Sequence, residues 1–348
     1  MVDTKLLEKL MEAYGISGSE EKVRAIIKKE IKPYVDEITV DNAGNLIAHQ
    51  KGVKPTVMVA AHMDEIGLVV QNIDSDGNIL FEKIGGIENL TLIGQRVLMR
   101  GKNRKMIQGV ITTLELSEGM DIEELPAEDE FYIDTGLTKA ELKKLGIRTG
   151  TFVSLIQENV TLGSKKIICG KALDDRVGCS ILIEVIKKCK KISKNEMYFV
   201  FTVQEEMGLY GAKTSAFEIK PDWAIAIDVT NADDTLAEDA TKTIGKGVTV
   251  TVKDESMIGN KVINAWLEKI GKRKKIPIQF DVSGAGTTDA VSIYLSRGGV
   301  PATVVGVPIR NMHSTVGIVH TDDIDNCVKL LIELFKKPPK KLFEKSLK

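Results

Sequence analysis

The sequence predicts an α/β fold: a mostly parallel mixed sheet with helices on both faces, plus a small inserted β-rich domain. Three observations predict it. From about residue 165 onward, buried strand-like runs alternate with amphipathic helical runs, as in parallel sheets crossed by helices. The run TVMVAA at 56–61 is continuously apolar, as expected for an inner strand covered on both faces. Between 68 and 161 the segments are instead short, strand-like and separated by turn signals.

The N-terminal elements follow from local patterns. LLEKLMEAYG has apolar residues at helical spacing and ends at Gly15. The stretch Ser-Gly-Ser-Glu at 17–20 has the form of a capping box that opens a second helix, EEKVRAIIKKEI. EITVDNAGNLIAH at 37–49 predicts a hairpin, because a strand, an Asn-Ala-Gly-Asn turn and a second strand follow one another.

The C-terminal half supplies the remaining helices and strands of the large sheet. We therefore predict a discontinuous main domain, 1–67 and 162–348, interrupted by a β-rich domain at 68–161. The predicted strands are MYFVFTVQ, WAIAIDV, IPIQFDV and VPATVVGVP, and the helices are DDRVGCSILIEVIKKCKK, INAWLEKIGKR, TTDAVSIYLSRGG and DIDNCVKLLIELFKK.

Composition excludes several classes of partner. The chain has 348 residues, 43% hydrophobic and 28% charged, and a net charge of −1, so nothing indicates a nucleic-acid partner. No apolar run reaches the length of a membrane-spanning helix, and the N-terminus lacks a signal-peptide core. The four cysteines show no C-x-x-C spacing and are expected to be reduced, buried thiols. We expect a cytoplasmic protein without a membrane partner.

Acids and histidines stand where several predicted strands end. In an open α/β sheet, ligands bind outside the carboxyl ends of the strands. Any one such residue is usually a cap or a solvated loop residue, but their joint placement predicts a common site. The candidates are His62 and Asp64, Glu205 and Glu206, Asp228, His313, and the helix-opening pair Asp174 and Asp175.

Two imidazoles and several carboxylates at one sheet edge predict a site for divalent metals. A ligand set of His with Asp and Glu suits zinc, cobalt or manganese, whereas the imidazoles disfavour calcium. The residues alone do not decide between Glu205 and Glu206 as base, nor between Asp174 and Asp175 as ligand.

Taken together, the motifs resemble the tetrahedral (TET) aminopeptidases, a family of co-catalytic dinuclear metallopeptidases. The motifs are AHMDEIG, GKALDDRVG, VQEEMGLYGA, AIDVT and the late His-Ser pair, in that order, and the resemblance extends to the opening LLEKLMEAYGISGSEEKVR and to DNAGNLIA. It implies a metallo-exopeptidase fold, a PDZ-like insert and two metal ions per subunit, zinc or cobalt.

The resemblance also implies a role for each site residue. His62 and Asp228 would bind one metal, Glu206 and His313 the other, and Asp174 would bridge both. The metal pair suits a bridging hydroxide that attacks the scissile carbonyl.

Two further residues would act around the metals. Asp64 would orient His62 by accepting from its far nitrogen. Glu205 would be the general base, and a cis peptide bond would follow Asp174.

The resemblance implies peptide substrates with a free N-terminus and a homo-oligomer. Relatives use the insert to dimerise, and the dimers close into a hollow dodecamer. Unpaired strand edges in the insert would favour such pairing.

Three assignments remain outside the metal set. We expect His49 to be structural and His320 to mark a helix boundary. The Gly-rich stretch SGAGTTDA lacks a phosphate-loop pattern, so we predict a pocket-lining loop with Thr287, Thr288 or Asp289 near the substrate.

Two rival functions stay open at this point. A metal-independent glycoside hydrolase would also use paired carboxylates, although it needs no histidine ligands and the 5% aromatic content is poor for stacking sugars. A non-catalytic, metal-stabilised scaffold would hold a closed site with four protein ligands, without a spare base beside it.

Overall fold

The described chain builds two separate sheets. The computed structural model describes residues 2–121, 124–190, 192–236 and 239–339. One sheet is large and open, and the other is a small closed barrel. All the barrel strands lie between Gly67 and Ile156, whereas the strands of the large sheet come from both sides of that segment.

The large sheet has a parallel centre and antiparallel edges. Its strands are β1 (Glu37–Val40), β2 (Leu46–Gln50), β3 (Val53–His62), β10 (Val160–Leu162), β11 (Ile167–Gly170), β12 (Asn195–Thr202), β13 (Trp223–Asn231), β14 (Val248–Lys253), β15 (Ile278–Val282), β16 (Ala302–Arg310) and β17 (Gly317–His320). Their order is β1-β2-β12-β3-β13-β16-β17-β11-β10, with β14 and β15 branching from β16. The neighbours β12, β3, β13 and β16 run parallel to one another, while the flanking pairs β1–β2, β2–β12, β16–β17 and β11–β17 are antiparallel.

Helices cover both faces of this sheet. They are α1 (Thr4–Glu12), α2 (Glu21–Ile31), α5 (Leu173–Cys189), α6 (Tyr210–Ile219), α7 (Lys261–Lys274), α8 (Asp289–Tyr294) and α9 (Thr321–Lys336). Strand β3 is continuously apolar from Val57 to Ala61 because both of its faces are covered there. Val57 and Val59 pack into the core on the side of α5 and α9, whereas Met58 and Ala60 pack into a second core on the side of α6 and α8. The predicted fold class is confirmed.

The barrel has its own hydrophobic core. Its strands are β4 (Gly67–Ile73), β5 (Ile79–Ile84), β6 (Arg96–Arg100), β7 (Met106–Thr112), β8 (Tyr132–Asp134) and β9 (Phe152–Ile156), closed in the order β4-β5-β8-β7-β6-β9, and the short helices α3 (Leu114–Glu118) and α4 (Lys139–Leu145) lie in the same segment. Leu68, Val97, Ile111, Ile133 and Val153 are among the side chains buried inside it. The expectation of unpaired strand edges in this segment is wrong, because closure of a barrel removes the edges.

Two local features differ from the sequence patterns. Strand β10 begins inside the range predicted for the insert, yet it pairs with β11 of the large sheet. The predicted capping box does not form: α2 begins at Glu21, and its N-cap residue, Glu20, makes no side-chain cap hydrogen bond.

The hairpin at β1 and β2 forms as predicted, with Asp41 accepting the backbone N–H groups of the turn. None of the helices in the described ranges combines the length and apolar character that crossing a bilayer requires.

Candidate metal centre

The parallel centre of the sheet brings three predicted site segments to one edge. His62 is the last residue of β3 and lies in register with Thr202, the last residue of β12, so the segment carrying Glu205 and Glu206 leaves the sheet beside it. Asp228 lies on β13, the other neighbour of β3. These side chains meet because parallel strands end at the same edge.

The other two segments approach from above this edge. His313 lies in the loop between β16 and β17, with a φ of +56°. Asp174 and Asp175 open α5 in non-helical backbone conformations, and the peptide bond between them is cis, as expected.

Asp174 lies between the two imidazoles. Its Oδ1 is 3.0 Å from His62 Nε2, and its Oδ2 is 3.3 Å from His313 Nε2. A further carboxylate lies near the same nitrogen of each ring: Asp228 Oδ1 is 3.9 Å from His62 Nε2, and Glu206 Oε2 is 3.5 Å from His313 Nε2. Each imidazole therefore shares Asp174 and has one carboxylate of its own.

Asp64 lies behind His62 and is fully buried. The Nδ1 of His62 is 3.1 Å from the backbone oxygen of Asp64 and 3.5 Å from its Oδ1. The same carboxylate accepts the backbone N–H groups of Glu205, at 3.1 Å, and of Glu206, at 3.2 Å. One buried side chain thus contacts both the strand end of β3 and the segment after β12.

Burial raises the pKa of three carboxyls at this edge. It raises the pKa of Glu206 to about 8, and the charge of Asp174 adds to the effect. The pKa values of Glu205 and Asp228 are also raised, first by burial and then by neighbouring carboxylates. Negative charge is therefore costly here unless cations accompany it.

The pKa values of the two imidazoles are also raised, which favours their charged form. The hydrogen bond to Asp174 is the main cause that raises the pKa of His313 to about 9. Burial works to lower the pKa of His62, but Glu205, Asp174 and Asp64 raise it above its ordinary value. Both rings thus lie in a strongly negative environment.

Two groups of candidate ligand atoms are close enough to hold a cation. Atoms of His62, Asp174 and Glu206 lie within 4.8 Å of one another, and so do atoms of His62, Asp175 and Asp228. Glu206 Oε1 and Asp175 Oδ2 are buried without a hydrogen-bond partner in the described part of the chain. Buried oxygens without partners, grouped around imidazoles, suit a divalent cation.

A cavity of about 600 Å³ opens onto these side chains. Asp174, Glu205, Glu206, Asp228 and His313 line one part of it. Its other walls carry polar side chains that include Thr230, Lys242, Asp281 and Ser283, with Thr287 and Thr288 from the Gly-rich stretch. The volume falls in the range of small-molecule sites.

Residues of the Gly-rich stretch have two roles: some line the cavity wall, and Asp289 supports the site. Thr288 caps α8 by accepting the N–H of Ala290. Asp289 is buried, and its Oδ2 accepts a 2.5 Å hydrogen bond from the Thr202 hydroxyl. Asp289 therefore supports the site from beneath.

The barrel segment also reaches the site, which the sequence did not indicate. Gly86 lines the cavity, and a Cβ at this position would lie 3.0 Å from His313 Nδ1. A Cβ at Gly85 would lie 3.2 Å from Glu206 Oε2. The glycines of the IGG turn allow this close approach because they lack a Cβ atom. The turn signal in the sequence does not predict it.

A buried ionic cluster underlies the start of α5. Lys171 contacts Glu65 at 2.5 Å, and Arg176 lies 3.5 Å from the same carboxylate. Arg176 also donates to the backbone oxygens of Leu10, Ala13 and Gly15. The cluster ties the N-terminal segment to the helix that presents Asp174.

The two remaining histidines lie away from the centre. His49 stacks on Tyr198 with ring centroids 4.2 Å apart and contacts Glu196. His320 is the N-cap of α9 and accepts the N–H of Asp322. Both have the structural roles that were predicted.

Comparison with known proteins shows which family this chain belongs to. A profile described as M42 glutamyl aminopeptidase matches residues 44–330. The chain belongs to the M42 aminopeptidase family. A relative described as a putative aminopeptidase of Acetivibrio thermocellus is 42% identical over 329 residues, covering 94% of this chain and 97% of its own.

Solved structures extend the family match to the whole fold. A TET aminopeptidase from the marine sediment archaeon Thaumarchaeota archaeon SCGC AB-539-E09 superposes with a TM-score of 0.92 at 33% identity, covering 97% of this chain and 98% of that one. The TET1 peptidase of Pyrococcus horikoshii, which can assemble into a tetrahedron or a large octahedral shell, gives 0.86 at 32% identity, covering 96% and 99%. The resemblance to TET aminopeptidases is confirmed, and this M42 chain is a hydrolase of the peptidase class.

Proposed function

We propose that this M42 chain is an aminopeptidase that uses two divalent metal ions, zinc or cobalt, to remove N-terminal residues from short peptides. The observation that carries the proposal is the position of Asp174. A single carboxylate in contact with both His62 and His313 is suited to bridging two cations. The membership of the family supports the same reaction class.

The geometry supports the assignment of five ligands. His62 and Asp228 would hold one metal, His313 and Glu206 would hold the other, and Asp174 would bridge them. Asp175 is the weaker candidate for the bridge, because its Oδ1 accepts the N–H of Gly178 instead of facing both imidazoles.

The residues present fit divalent cations. Burial raises the pKa values of Glu206 and Asp228, and Glu206 keeps a buried oxygen without a partner among the described residues, so cations would relieve both the desolvation and the repulsion. When bound, such ions supply Lewis-acid polarisation of the substrate carbonyl and lower the pKa of water.

Glu205 has the position of a general base. It lines the cavity next to Glu206, yet it belongs to neither group of candidate ligand atoms. Burial and neighbouring carboxylates raise its pKa, which moves a carboxylate toward the range useful for proton transfer near neutral pH. Glu205 would take a proton from the attacking water and deliver it to the leaving amine.

The substrate end is proposed to be a free α-amine. Several buried carboxylates surround the cavity end that would hold the first residue, and an ammonium group is attracted to them. A polypeptide interior or a blocked N-terminus would bring no such charge.

The residues at this edge of the sheet favour an open metal centre over the glycoside hydrolase and over the closed structural metal site. Imidazoles lie among the carboxylates, as a metal centre requires and sugar hydrolysis does not. The assigned ligands share two metals and leave Glu205 free, which is an open arrangement.

Self-association through the inserted segment is also proposed, with a dodecamer built from dimers. The support comes from apolar side chains exposed on that segment: Leu90, Leu114, Leu116, Met120 and Leu125. Several large apolar side chains exposed on one segment suit an interface between copies of the chain. A cytoplasmic location agrees with the four buried, free cysteines.

The first prediction concerns the base. Glu205→Gln should keep two metal ions per chain but lower kcat by about 10²–10⁴-fold, because only proton transfer is removed. Glu206→Gln is the matched variant and should lose metal along with activity. Metal content by plasma mass spectrometry and kcat are measured on the same samples. Loss of metal from Glu205→Gln in proportion to kcat would make Glu205 a ligand.

The second prediction concerns the free amine. A short peptide should be cleaved at its first bond, while its N-acetylated twin should be essentially inert, because the acetyl group removes the charge that the acidic cavity binds. Mass spectrometry of both digests at equal enzyme concentration gives the comparison. Equal cleavage of the two peptides would refute the aminopeptidase assignment.

The third prediction concerns assembly. Light scattering of the purified protein should give a mass about twelve times that of the monomer. Leu114→Glu combined with Leu116→Glu should lower this mass by charging the exposed face of α3, whereas Leu236→Glu, at a side chain 96% exposed outside the insert, should not. A fully active monomer at micromolar concentration would contradict the proposed role of the insert.

A further inference from the structure

The turn before α2 does not form the capping box that its sequence predicts. Glu20 is the N-cap residue without capping α2, and its Oε1 accepts the N–H of Gly18 at 2.7 Å. That hydrogen bond closes the turn that follows Ser17. Neither polar side chain of the apparent capping box, Ser17 or Glu20, therefore caps the N-terminus of α2.

Ser17 points into the metal centre instead. Its Oγ donates a 2.6 Å hydrogen bond to Asp64 Oδ2, and both residues are buried, Ser17 with 3% of its surface exposed and Asp64 with none. Two backbone hydrogen bonds fix the approach: the N–H of Ser17 donates to Glu65 O at 3.3 Å, and the N–H of Glu65 donates to Gly15 O at 3.0 Å.

The hydroxyl completes the set of groups around Asp64. Oδ2 accepts from Ser17 and from the N–H of Glu206, while Oδ1 accepts from the N–H of Glu205 and faces His62 Nδ1. The carboxylate thus accepts three hydrogen bonds, while His62 Nδ1 lies 3.5 Å from Oδ1 and closer, at 3.1 Å, to the backbone oxygen of Asp64. Ser17 supplies the shortest of these contacts.

We propose that Ser17 is a positioning residue of the metal centre, which fixes the Asp64 carboxylate so that His62, Glu205 and Glu206 keep their relative positions. The inference rests on the proposed function, since it concerns the ligands and base assigned there. Ser17 touches neither metal nor substrate and acts through Asp64.

The physical reason is the geometry of the carboxylate. Without the hydroxyl, Oδ2 keeps one donor, and the side chain can turn about its last torsion. Turning shifts the acceptors for the two glutamate N–H groups and for the imidazole together. Loss of the one hydrogen bond from Ser17 would therefore shift a proposed ligand of each metal, His62 and Glu206. It would also shift the proposed base, Glu205.

The test compares Ser17→Ala with wild type, using affinity for Zn²⁺ as the main readout. Zinc affinity, from competition with a chelator, should fall about tenfold, the lower end of what loss of an outer partner of a metal ligand causes. At saturating zinc, kcat should fall about tenfold while KM stays nearly constant, because the substrate is not contacted. Ser17→Thr keeps the hydroxyl and should stay within about threefold of wild-type zinc affinity.

Ser19→Ala is the matched control. Ser19 lies two residues away, is half-buried, and has no side-chain hydrogen bond with the centre among the described residues. The melting temperature of each metal-free protein separates loss of packing from loss of positioning. Ser19→Ala should match wild type in zinc affinity and kcat.

The outcomes separate this inference from the proposed function. If Ser17→Ala melts earlier but binds zinc and turns over as Ser19→Ala does, Ser17 only supports the fold and the inference is wrong. A Ser17→Thr protein as weak as Ser17→Ala, with an unchanged melting temperature, would also overturn it. A wild-type protein that binds no zinc and cleaves no peptide would refute the proposed function itself, and this inference with it.

Discussion

The arrangement depends on one buried carboxylate, that of Asp64. It is out of contact with solvent, yet it faces His62 and accepts the backbone N–H groups of Glu205 and Glu206. These hydrogen bonds join the ends of two neighbouring parallel strands, β3 and β12. A buried charge is tolerated because three hydrogen bonds and the neighbouring imidazole compensate it, and the same partners fix the segments that carry the site.

The proposed chemistry follows from the carboxylates that the fold buries away from water. The large sheet delivers Glu206 and Asp228 to one edge, and α5 adds Asp174 above it, all three in places where burial disfavours an uncompensated charge. Cations between these groups would offset that cost, and two are suggested because Asp174 faces two imidazoles rather than one. Glu205 lines the same cavity and, in the proposed function, would serve such a centre as the base.

Sequence patterns predicted the sheet and the placement of the site because strand periodicity and strand ends are local signals. They failed where the outcome depends on contacts distant in sequence. The Ser-Gly-Ser-Glu stretch has the local form of a capping box, but Ser17 meets Asp64, 47 residues away. The approach of Gly86 to His313 and the closure of the barrel likewise depend on how separate segments pack. The proposed choice of Asp174 over Asp175 as the bridge rests on its distances to both imidazoles.

The central claim, two cations sharing Asp174, is tested most directly by anomalous diffraction from crystals soaked in Zn²⁺. The account predicts two peaks per chain, one between His62 and Asp228 and the other between His313 and Glu206, with Asp174 contacting both. Two metals would stand roughly 3.5–4 Å apart. A single peak enclosed by four protein side chains, or peaks that leave Asp174 without contact, would contradict it.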